Sequence, residues 1–422
     1  MNMMRPVIRF AVVSCVSLIL SSLPARAGND CRNALVHALD IKSHRVELAI
    51  ENGRYPLEHV RIHIPPKFRH WEMSVELFDD YLHAMEVLKE LRLEVLMSDG
   101  AEEIDLDVEK LRDLEERDRF VLKIIKERSD SVRSRVSLHL TEHDLEMWAQ
   151  DSSKPLKSGA PLVPSTMDRH HLSETLARTI YREAHRVVSG FEGGNLVVGE
   201  RHVFSLSTLM RANSHEHKEL ERFFGKTIFP VDLDSPELPH FDMNFHSDLL
   251  LAVAFSPRLQ KEVIVLSSPQ LAHEILQSTP SPSAEARLIL YDINKYWTYF
   301  ESWNSHNDHL KEALEKEGYQ VVLIPGVTFP RVQRSTWGFM RNTALRAPML
   351  HYNYVNAVFS ENFVLMPWLD LPEFDESAAA VYESLGFSAI PMRSARPLLT
   401  RFGAVRCASY TARKDCSSPR NH

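Results

Sequence analysis

Three short motifs carry the side chains of this 422-residue chain that could do covalent chemistry. Cys407 ends the run Gly-Ala-Val-Arg-Cys near the end of the chain, His246 and Asp248 form a His-Ser-Asp run, and Asp151 ends a Trp-Ala-Gln-Asp run. A thiolate can attack an electrophilic carbon, an imidazole can move protons, and carboxylates can accept paired N–H bonds from a planar cation. The set therefore predicts hydrolysis of a guanidinium group, with these four residues as the catalytic ones.

The run that contains His246 and Asp248 alternates polar and apolar residues. The polar residues of one parity are His240, Asp242, Asn244, His246 and Asp248. An extended strand would place all five on one face, where imidazole and carboxylate groups could alternatively bind zinc. We predict no metal, because no His-Glu-x-x-His helix and no third ligand cluster accompanies the run. His246 and Asp248 are preferred as the functional pair, since they lead directly into a predicted strand, Leu249–Phe255.

A glycine cluster, Gly-Phe-Glu-Gly-Gly-Asn195, interrupts a chain that has only 14 glycines. Such a cluster is typical of a tight turn or of a backbone that a ligand approaches closely. The order does not fit a phosphate-binding loop, because no Lys-Ser/Thr pair follows it. Taken alone, the cluster is better explained by a plain turn into a following strand, Leu196–Val198.

The first 27 residues have the pattern of a secretory signal peptide. Arg5 and Arg9 precede an apolar stretch from about Phe10 to Leu23, which ends at a small-x-small site, Ala-Arg-Ala27. The apolar stretch is short for a spanning helix, which needs about 20 residues. The pattern predicts a secreted or periplasmic protein without stable membrane anchoring.

Export changes the interpretation of the cysteines. Cys15 would leave with the signal peptide, so Cys31, Cys407 and Cys416 would remain, an odd number in an oxidising compartment. If Cys407 is the nucleophile, Cys31 and Cys416 are left to pair. The competing pair, Cys407 with Cys416, would remove the nucleophile, and spacing alone does not decide between them.

Composition and periodicity favour a soluble mixed α/β chain. A formal charge of −8 excludes a typical nucleic-acid binder, which needs a basic face. Apolar residues at helical spacing predict helices at Trp71–Leu91, Val108–Ile125 and Leu172–Val188, and short β-rich runs lie between the helical segments. We divide the chain into residues 1–27 (signal peptide), 28–142 (N-terminal helical segment and first unit) and 143–422 (the rest of the catalytic domain).

The order of these motifs resembles that of the guanidino-group-modifying (pentein) superfamily. Trp-x-Gln-Asp is followed by Gly-Asn-Leu-x-Val, His-x-Asp and Gly-x-Val-x-Cys, and the segment from Asn353 to Pro367 resembles the superfamily's penultimate blade. The likeness extends from about Trp148 to Thr411 and is greatest to protein-arginine and agmatine deiminases. Arg406 departs from the pattern, because deiminases often carry His before the cysteine.

The resemblance implies a five-bladed, pseudo-symmetric α/β propeller and a covalent mechanism. Cys407 would be the nucleophile, His246 the general acid/base, and Asp151 and Asp248 the guanidinium-binding carboxylates. Further substrate-binding residues would be Trp148, Gly194 and Asn195. The expected substrate is an arginine-containing peptide or a small guanidino compound such as agmatine or free arginine, the product is a ureido group plus ammonia, and no cofactor is required. An amidinotransferase of the same fold and a metal-dependent hydrolase are the alternatives.

Overall fold

Five sheets of the protein share one strand pattern, which a computed structural model shows for most of the chain. The residues that it describes are 35–65, 68–98, 108–141, 145, 147–150, 152–165, 172–181, 183–188, 191, 193–206, 214–231, 247–329, 351–399 and 404–413.

The strands are β1 (Leu35–Leu39), β2 (Leu57–Ile64), β3 (Arg92–Ser98), β4 (Val136–Thr141), β5 (Lys154–Pro155), β6 (Pro161–Pro164), β7 (Glu183–Val187), β8 (Val197–Val198), β9 (His202–Ser205), β10 (Thr227–Pro230), β11 (Leu251–Ser256), β12 (Lys261–Ser268), β13 (Gln320–Pro325), β14 (Val327–Thr328), β15 (His351–Tyr352), β16 (Val358–Ser360), β17 (Phe363–Pro367), β18 (Ser388–Met392) and β19 (Ser409–Arg413). The helices are α1 (Phe68–Val87), α2 (Val108–Lys126), α3 (Asp130–Arg133), α4 (Leu172–Leu176), α5 (Ser214–Phe224), α6 (Pro269–Ser278), α7 (Ala284–Lys295), α8 (Trp297–Lys316), α9 (Pro372–Ser384) and α10 (Ala395–Leu399). None of the helices in the described ranges combines the length and apolar composition needed to cross a membrane.

Each of the five sheets contains an antiparallel pair of strands and a third strand parallel to the second. The triplets are β19-β2-β3, β5-β6-β7, β8-β9-β10, β11-β12-β13 and β16-β17-β18. A parallel connection requires a crossover, and in every triplet at least one helix lies between the second and third strands. The described part of the chain is thus built from five ββαβ units, with β1 and β4 added to two of the sheets and β14-β15 as a separate short pair.

The first unit joins the two ends of the described chain. Strand β19 pairs antiparallel with β2, with Ser409 opposite Ile62 and Thr411 opposite Val60. Successive side chains of β2 lie on opposite faces of the sheet. Val60 and Ile62 belong to the main apolar core, to which α1 also contributes, whereas Arg61 is buried on the opposite face beside Tyr410. The unit therefore ties the segment before β19, which contains Cys407, to the N-terminal half of the chain.

The predicted α/β class and the helices at Trp71–Leu91 and Val108–Ile125 are confirmed by α1 and α2. The helix predicted over Leu172–Val188 is wrong in its second half. It ends after a π-helical turn, Ala177–Tyr181, and β7 follows, hydrogen-bonded between β1 and β6. Ala184 and Val187 are buried three residues apart, a spacing that mimics a helix.

The strand predicted at Leu249–Phe255 is shifted to β11. A turn of 3-10 helix, Ser247–Leu249, precedes it, so Asp248 is not part of an extended run. Residues 240–246 lie outside the described part of the chain. The boundary at residue 142 stays a prediction, although residues 28–142 contain strands β1–β4 as well as helices.

Candidate active site

Cys407 and Asp248 lie side by side in the interior. Cys407 is a reduced thiol, 1 % exposed, and Asp248 is fully buried. The sulfur is 3.5 Å from Oδ2 and 3.7 Å from Oδ1 of the carboxylate, so the thiol donates a hydrogen bond to it. The two residues are 159 positions apart in sequence. The fold thus brings together two of the four predicted catalytic residues.

Asn356 connects the two segments. Its Oδ1 accepts from the backbone N–H groups of Arg406, at 3.0 Å, and Cys407, at 3.2 Å. Its Nδ2 is 3.1 Å from the sulfur of Cys407 and 3.3 Å from the carbonyl oxygen of Asp248. Asn353 holds the same turn by donating to the carbonyl of Leu249 at 2.6 Å. Asn356 therefore fixes the position of the thiol relative to the carboxylate.

The Trp-Ala-Gln segment forms another wall of this site. The backbone N–H of Gln150 donates to the carbonyl of Cys407 at 3.1 Å. Arg61, buried on β2, donates to Ser153 Oγ at 2.7 Å and to the carbonyl of Ala149 at 3.4 Å, which anchors both sides of Gln150. Trp148 is half-buried and packs against the main core. Asp151 lies outside the described residues, and its predicted role stays a prediction.

The glycine cluster becomes a turn of 3-10 helix, Gly193–Asn195, that contacts the Ser247–Leu249 turn. Ser247 Oγ donates to the carbonyl of Gly194 at 3.4 Å. A Cβ on Gly193 would lie 1.9 Å from the backbone oxygen of Gln150, so only glycine allows the two segments to meet. Asn195 is buried, and its Oδ1 has no hydrogen-bond donor within the described part of the chain.

These residues occupy equivalent positions in the five units. Gln150, Asn195, Asp248, Asn356 and Cys407 each lie just before the first strand of a ββαβ unit, which is β5, β8, β11, β16 and β19 respectively. Equivalent positions of five repeated units thus supply the walls of one site. This arrangement explains why its residues are spread over so much of the sequence.

A buried ion cluster of Glu51, Lys154 and Arg406 adjoins the site. Glu51 accepts from Lys154 Nζ at 2.8 Å, from Arg406 Nη2 at 2.7 Å and from the N–H of Val198 at 3.1 Å. Burial raises the pKa of Glu51, but Arg406 and Lys154 outweigh it, so the pKa is lowered and the carboxylate stays ionised. Burial also lowers the pKa of Lys154, to an extent that its pairing with Glu51 does not offset.

The remaining predicted residues are only partly placed. Asp248, Cys407, Gly194, Asn195 and Trp148 are described, whereas His246 and Asp151 are outside the described residues. No group of three His, Cys, Asp or Glu side chains suited to a metal ion occurs in the described ranges, but most of the His240–Asp248 run lies outside them.

The cysteine pairings stay predictions. Cys407 forms no disulfide within the described part of the chain. Cys31 and Cys416 are outside the described residues, so their pairing stays a prediction.

Sequence reasoning missed Asn356 and Glu51 as parts of this site. The segment that contains Asn356 predicts only paired strands, although two asparagines in an otherwise apolar run are a signal. Glu51 gives no such signal, because it is one acidic residue among 57.

Comparison with known proteins gives matches by structure only. No family model matches the chain, and no curated protein matches it in sequence. The C. jejuni agmatine deiminase superposes with a TM-score of 0.53 at 16% identity, covering 88% of this chain and 97% of that one. The agmatine deiminase of Enterococcus faecalis gives 0.51 at 11%, covering 88% and 100%. A candidate peptidyl-arginine deiminase gives 0.54 at 11%, covering 87% and 99%. The chain therefore has the fold of these solved deiminase structures.

Proposed function

We propose that this protein is a guanidine hydrolase that converts an arginine-type guanidinium to a ureido group and ammonia. The observation that carries the proposal is the buried contact of the Cys407 thiol with the Asp248 carboxylate, at 3.5 Å. The deiminase fold supports the same function. Cys407 is the nucleophile, Asp248 and Asp151 bind the guanidinium, and His246 is the general acid/base.

A carboxylate beside the sulfur disfavours the thiolate while the site holds no cation. A guanidinium that hydrogen-bonds to Asp248 changes this balance in two ways. It compensates the negative charge of the carboxylate, and it brings its electrophilic carbon next to the sulfur. Binding of the substrate and activation of the nucleophile are therefore coupled, and Cys407 becomes reactive when a cation enters.

The reaction then has two halves. The sulfur of Cys407 bonds to the guanidinium carbon, His246 protonates one nitrogen, and the bond from carbon to that nitrogen breaks, releasing ammonia. The product of this half is a thiouronium. A water molecule, deprotonated by His246, attacks the same carbon, the C–S bond breaks, and the electron pair returns to the sulfur as a ureido product forms.

We take arginine in a peptide as the preferred substrate, with agmatine and free arginine as alternatives. Structural neighbours are named for agmatine and, as a candidate, for peptidyl-arginine. The buried Oδ1 of Asn195 accepts no hydrogen bond among the described residues. This favours a substrate that has an N–H donor for Asn195 in addition to the donors that bind Asp248. A guanidinium N–H or a substrate amide could fill that position.

The proposed setting is a five-bladed propeller in an exported protein. Five ββαβ units with site residues at equivalent positions support an arrangement of the five sheets around the site.

The pattern of residues 1–27 supports export. N-terminal sequencing of the mature protein from culture medium and periplasm tests export, and a mature chain that begins at residue 1 in the cytoplasm would contradict it.

A colorimetric ureido assay tests the activity. The intact mature protein and its Cys407→Ala variant are compared on agmatine, free arginine and an arginine-containing peptide, with and without a chelator. Product from the intact protein alone, unaffected by the chelator, supports the proposal, and the preferred substrate is the one with the largest kcat/KM. Product that requires an added amine indicates amidinotransfer, and loss of activity with the chelator indicates the metal-dependent alternative.

A further inference from the structure

The side-chain amide of Gln150 lies between the ion cluster and the site. Gln150 is 2 % exposed. One end of its side-chain amide contacts Arg406 Nε and Lys154 Nζ, and the other end contacts the carbonyl oxygen of Arg406 and Asp248 Oδ2. This orientation of the amide is favoured, because the alternative would point its NH₂ group at two cations and would gain only a 3.4 Å contact with Glu51 Oε1. The oxygen therefore accepts from Arg406 Nε at 3.0 Å and from Lys154 Nζ at 2.8 Å.

In this orientation the amide NH₂ group donates its hydrogen bonds within the site. It donates to the carbonyl of Arg406 at 2.7 Å and to Asp248 Oδ2 at 3.2 Å. Asp248 Oδ2 is also the oxygen closer to the sulfur of Cys407. Glu51 in turn holds both cations in place through its own pairs with Lys154 and Arg406. The connection thus runs from Glu51, through the two cations and the amide, to the carboxylate beside the nucleophile.

We infer that Gln150 is a positioning residue whose amide, oriented by Arg406 and Lys154, holds the Asp248 carboxylate in place for the substrate guanidinium. The inference rests on the proposed function, because it gives Asp248 the guanidinium as its ligand. It also gives Arg406 a role. The cation before the nucleophile turns the amide of Gln150, where deiminases often carry a histidine.

The Gln150→Glu variant tests the inference by its pH profile. The groups facing position 150 in the described residues are Glu51, Lys154, Asp248, Arg406 and Cys407. A glutamate keeps an acceptor for the two cations but replaces the donor by an oxygen 3.2 Å from Asp248. When protonated it still donates to Asp248, and when ionised it repels that carboxylate.

For Gln150→Glu we expect kcat/KM to fall with rising pH along a one-proton limb at acidic pH that the wild type lacks, because the two cations that keep Glu51 ionised also favour the ionised form of this glutamate. The fall should reach about 10- to 100-fold once the glutamate is ionised. Gln150→Met removes the donor at every pH and should lower kcat/KM without adding the limb. Gln260→Glu, in the exposed turn of the β11–β12 hairpin, is the matched control and should keep the wild-type profile. A Gln150→Glu profile identical in shape to that of the wild type would overturn the inference.

A second measurement separates this inference from the proposed function. The rate at which iodoacetamide alkylates Cys407, followed by mass spectrometry of its peptide, needs no turnover. The alkylation midpoint should move to higher pH in Gln150→Glu than in Gln150→Met, because the ionised carboxylate of the former variant adds negative charge next to Asp248. If the wild type hydrolyses none of the guanidines, the proposed function fails while this shift still supports the positioning role. If the enzyme is active and the midpoints coincide, the positioning role fails alone.

Discussion

Two buried carboxylates of this protein have opposite surroundings. Glu51, at the site, accepts from two cations, and its pKa is lowered. Asp375, at the start of α9, accepts from the N–H groups of Leu369 at 2.9 Å and Leu371 at 2.8 Å and from the hydroxyl of Tyr354 at 2.8 Å. Burial raises the pKa of Asp375, and these neutral donors do not reverse the shift.

The difference distinguishes a functional from a structural use of a buried carboxylate. Neutral donors around Asp375 are sufficient to hold the loop before α9, and no charge needs to be organised there. Around Glu51 the chain instead buries two cations, at a desolvation cost that a merely structural loop would not require. The cations are useful if they orient a group beside the nucleophile, which is the role that Gln150 gives them.

The largest expected effect is a loss of activity when Asp248, but not Asp375, is replaced by asparagine. Asp248→Asn keeps the shape of the side chain but removes the charge that we propose binds the guanidinium, so kcat/KM should fall about 10³-fold. Asp375→Asn should leave kcat/KM unchanged and lower the free energy of unfolding by about 1–3 kcal/mol, since it disturbs a buried hydrogen-bonded group. Steady-state kinetics and urea unfolding of both variants check this pair. Equal losses of activity in the two variants would contradict the distinction between a functional Asp248 and a structural Asp375.

Glu51→Gln should have the next largest effect, on stability. It removes the carboxylate that pairs with both Lys154 and Arg406, and the free energy of unfolding should fall by about 3 kcal/mol at neutral pH. Because the folded pKa of Glu51 is lowered, its contribution is present above the ordinary value of 4.5 and is lost as the pH falls through the folded pKa. The variant should therefore lose less stability on acidification than the wild type. Urea unfolding at pH 7 and pH 3 measures both differences, and parallel pH curves would refute the ion-cluster account.

Part of this site could be predicted from sequence, because several of its residues lie in recognisable local motifs. Cys407, Asp248 and the Gly-Gly-Asn turn lie in short motifs with unusual residue types, and the structure brings all of them together. The pair of asparagines around Asn356 is a weak signal, and the role of Gln150 depends on contacts with Asp248, Lys154 and Arg406 that no local pattern in the sequence shows. Glu51 is 355 positions from Arg406, and only the pairing of β19 with β2 shows that the two ends of the chain meet. The helix prediction fails over β7 because the burial of that strand depends on the neighbouring strands β1 and β6.

A third prediction concerns the contact of the glycine turn with Gln150. Gly193→Ala would place a methyl group 1.9 Å from the backbone oxygen of Gln150, and that backbone must then move. We expect an unfolding free energy lower by about 2 kcal/mol and a loss of activity, because Gln150 also binds Cys407. Gly159→Ala is the control: its φ of +88° costs about 1 kcal/mol of strain, but no atom lies within 4 Å of the added methyl. Activity retained by Gly193→Ala and lost by Gly159→Ala would reverse the expectation.

The smallest effect is expected at Glu262, a second carboxylate with neutral donors. Its Oε1 accepts from Asn52 Nδ2 and from the N–H of Glu200, both at 2.8 Å, and burial raises its pKa above the ordinary value of 4.5. A raised folded pKa means that the stability from this group is present below 4.5 and is lost as the pH rises through the folded pKa. Glu262→Gln resembles the protonated form at every pH. The variant should therefore match the wild type at pH 4 and exceed its unfolding free energy by up to about 0.5 kcal/mol at pH 7.5. Paired urea titrations at these two pH values decide the sign. A variant less stable at pH 7.5 would mean that Glu262, like Glu51, is stabilised by cations, and Lys226 would then be the first partner to replace.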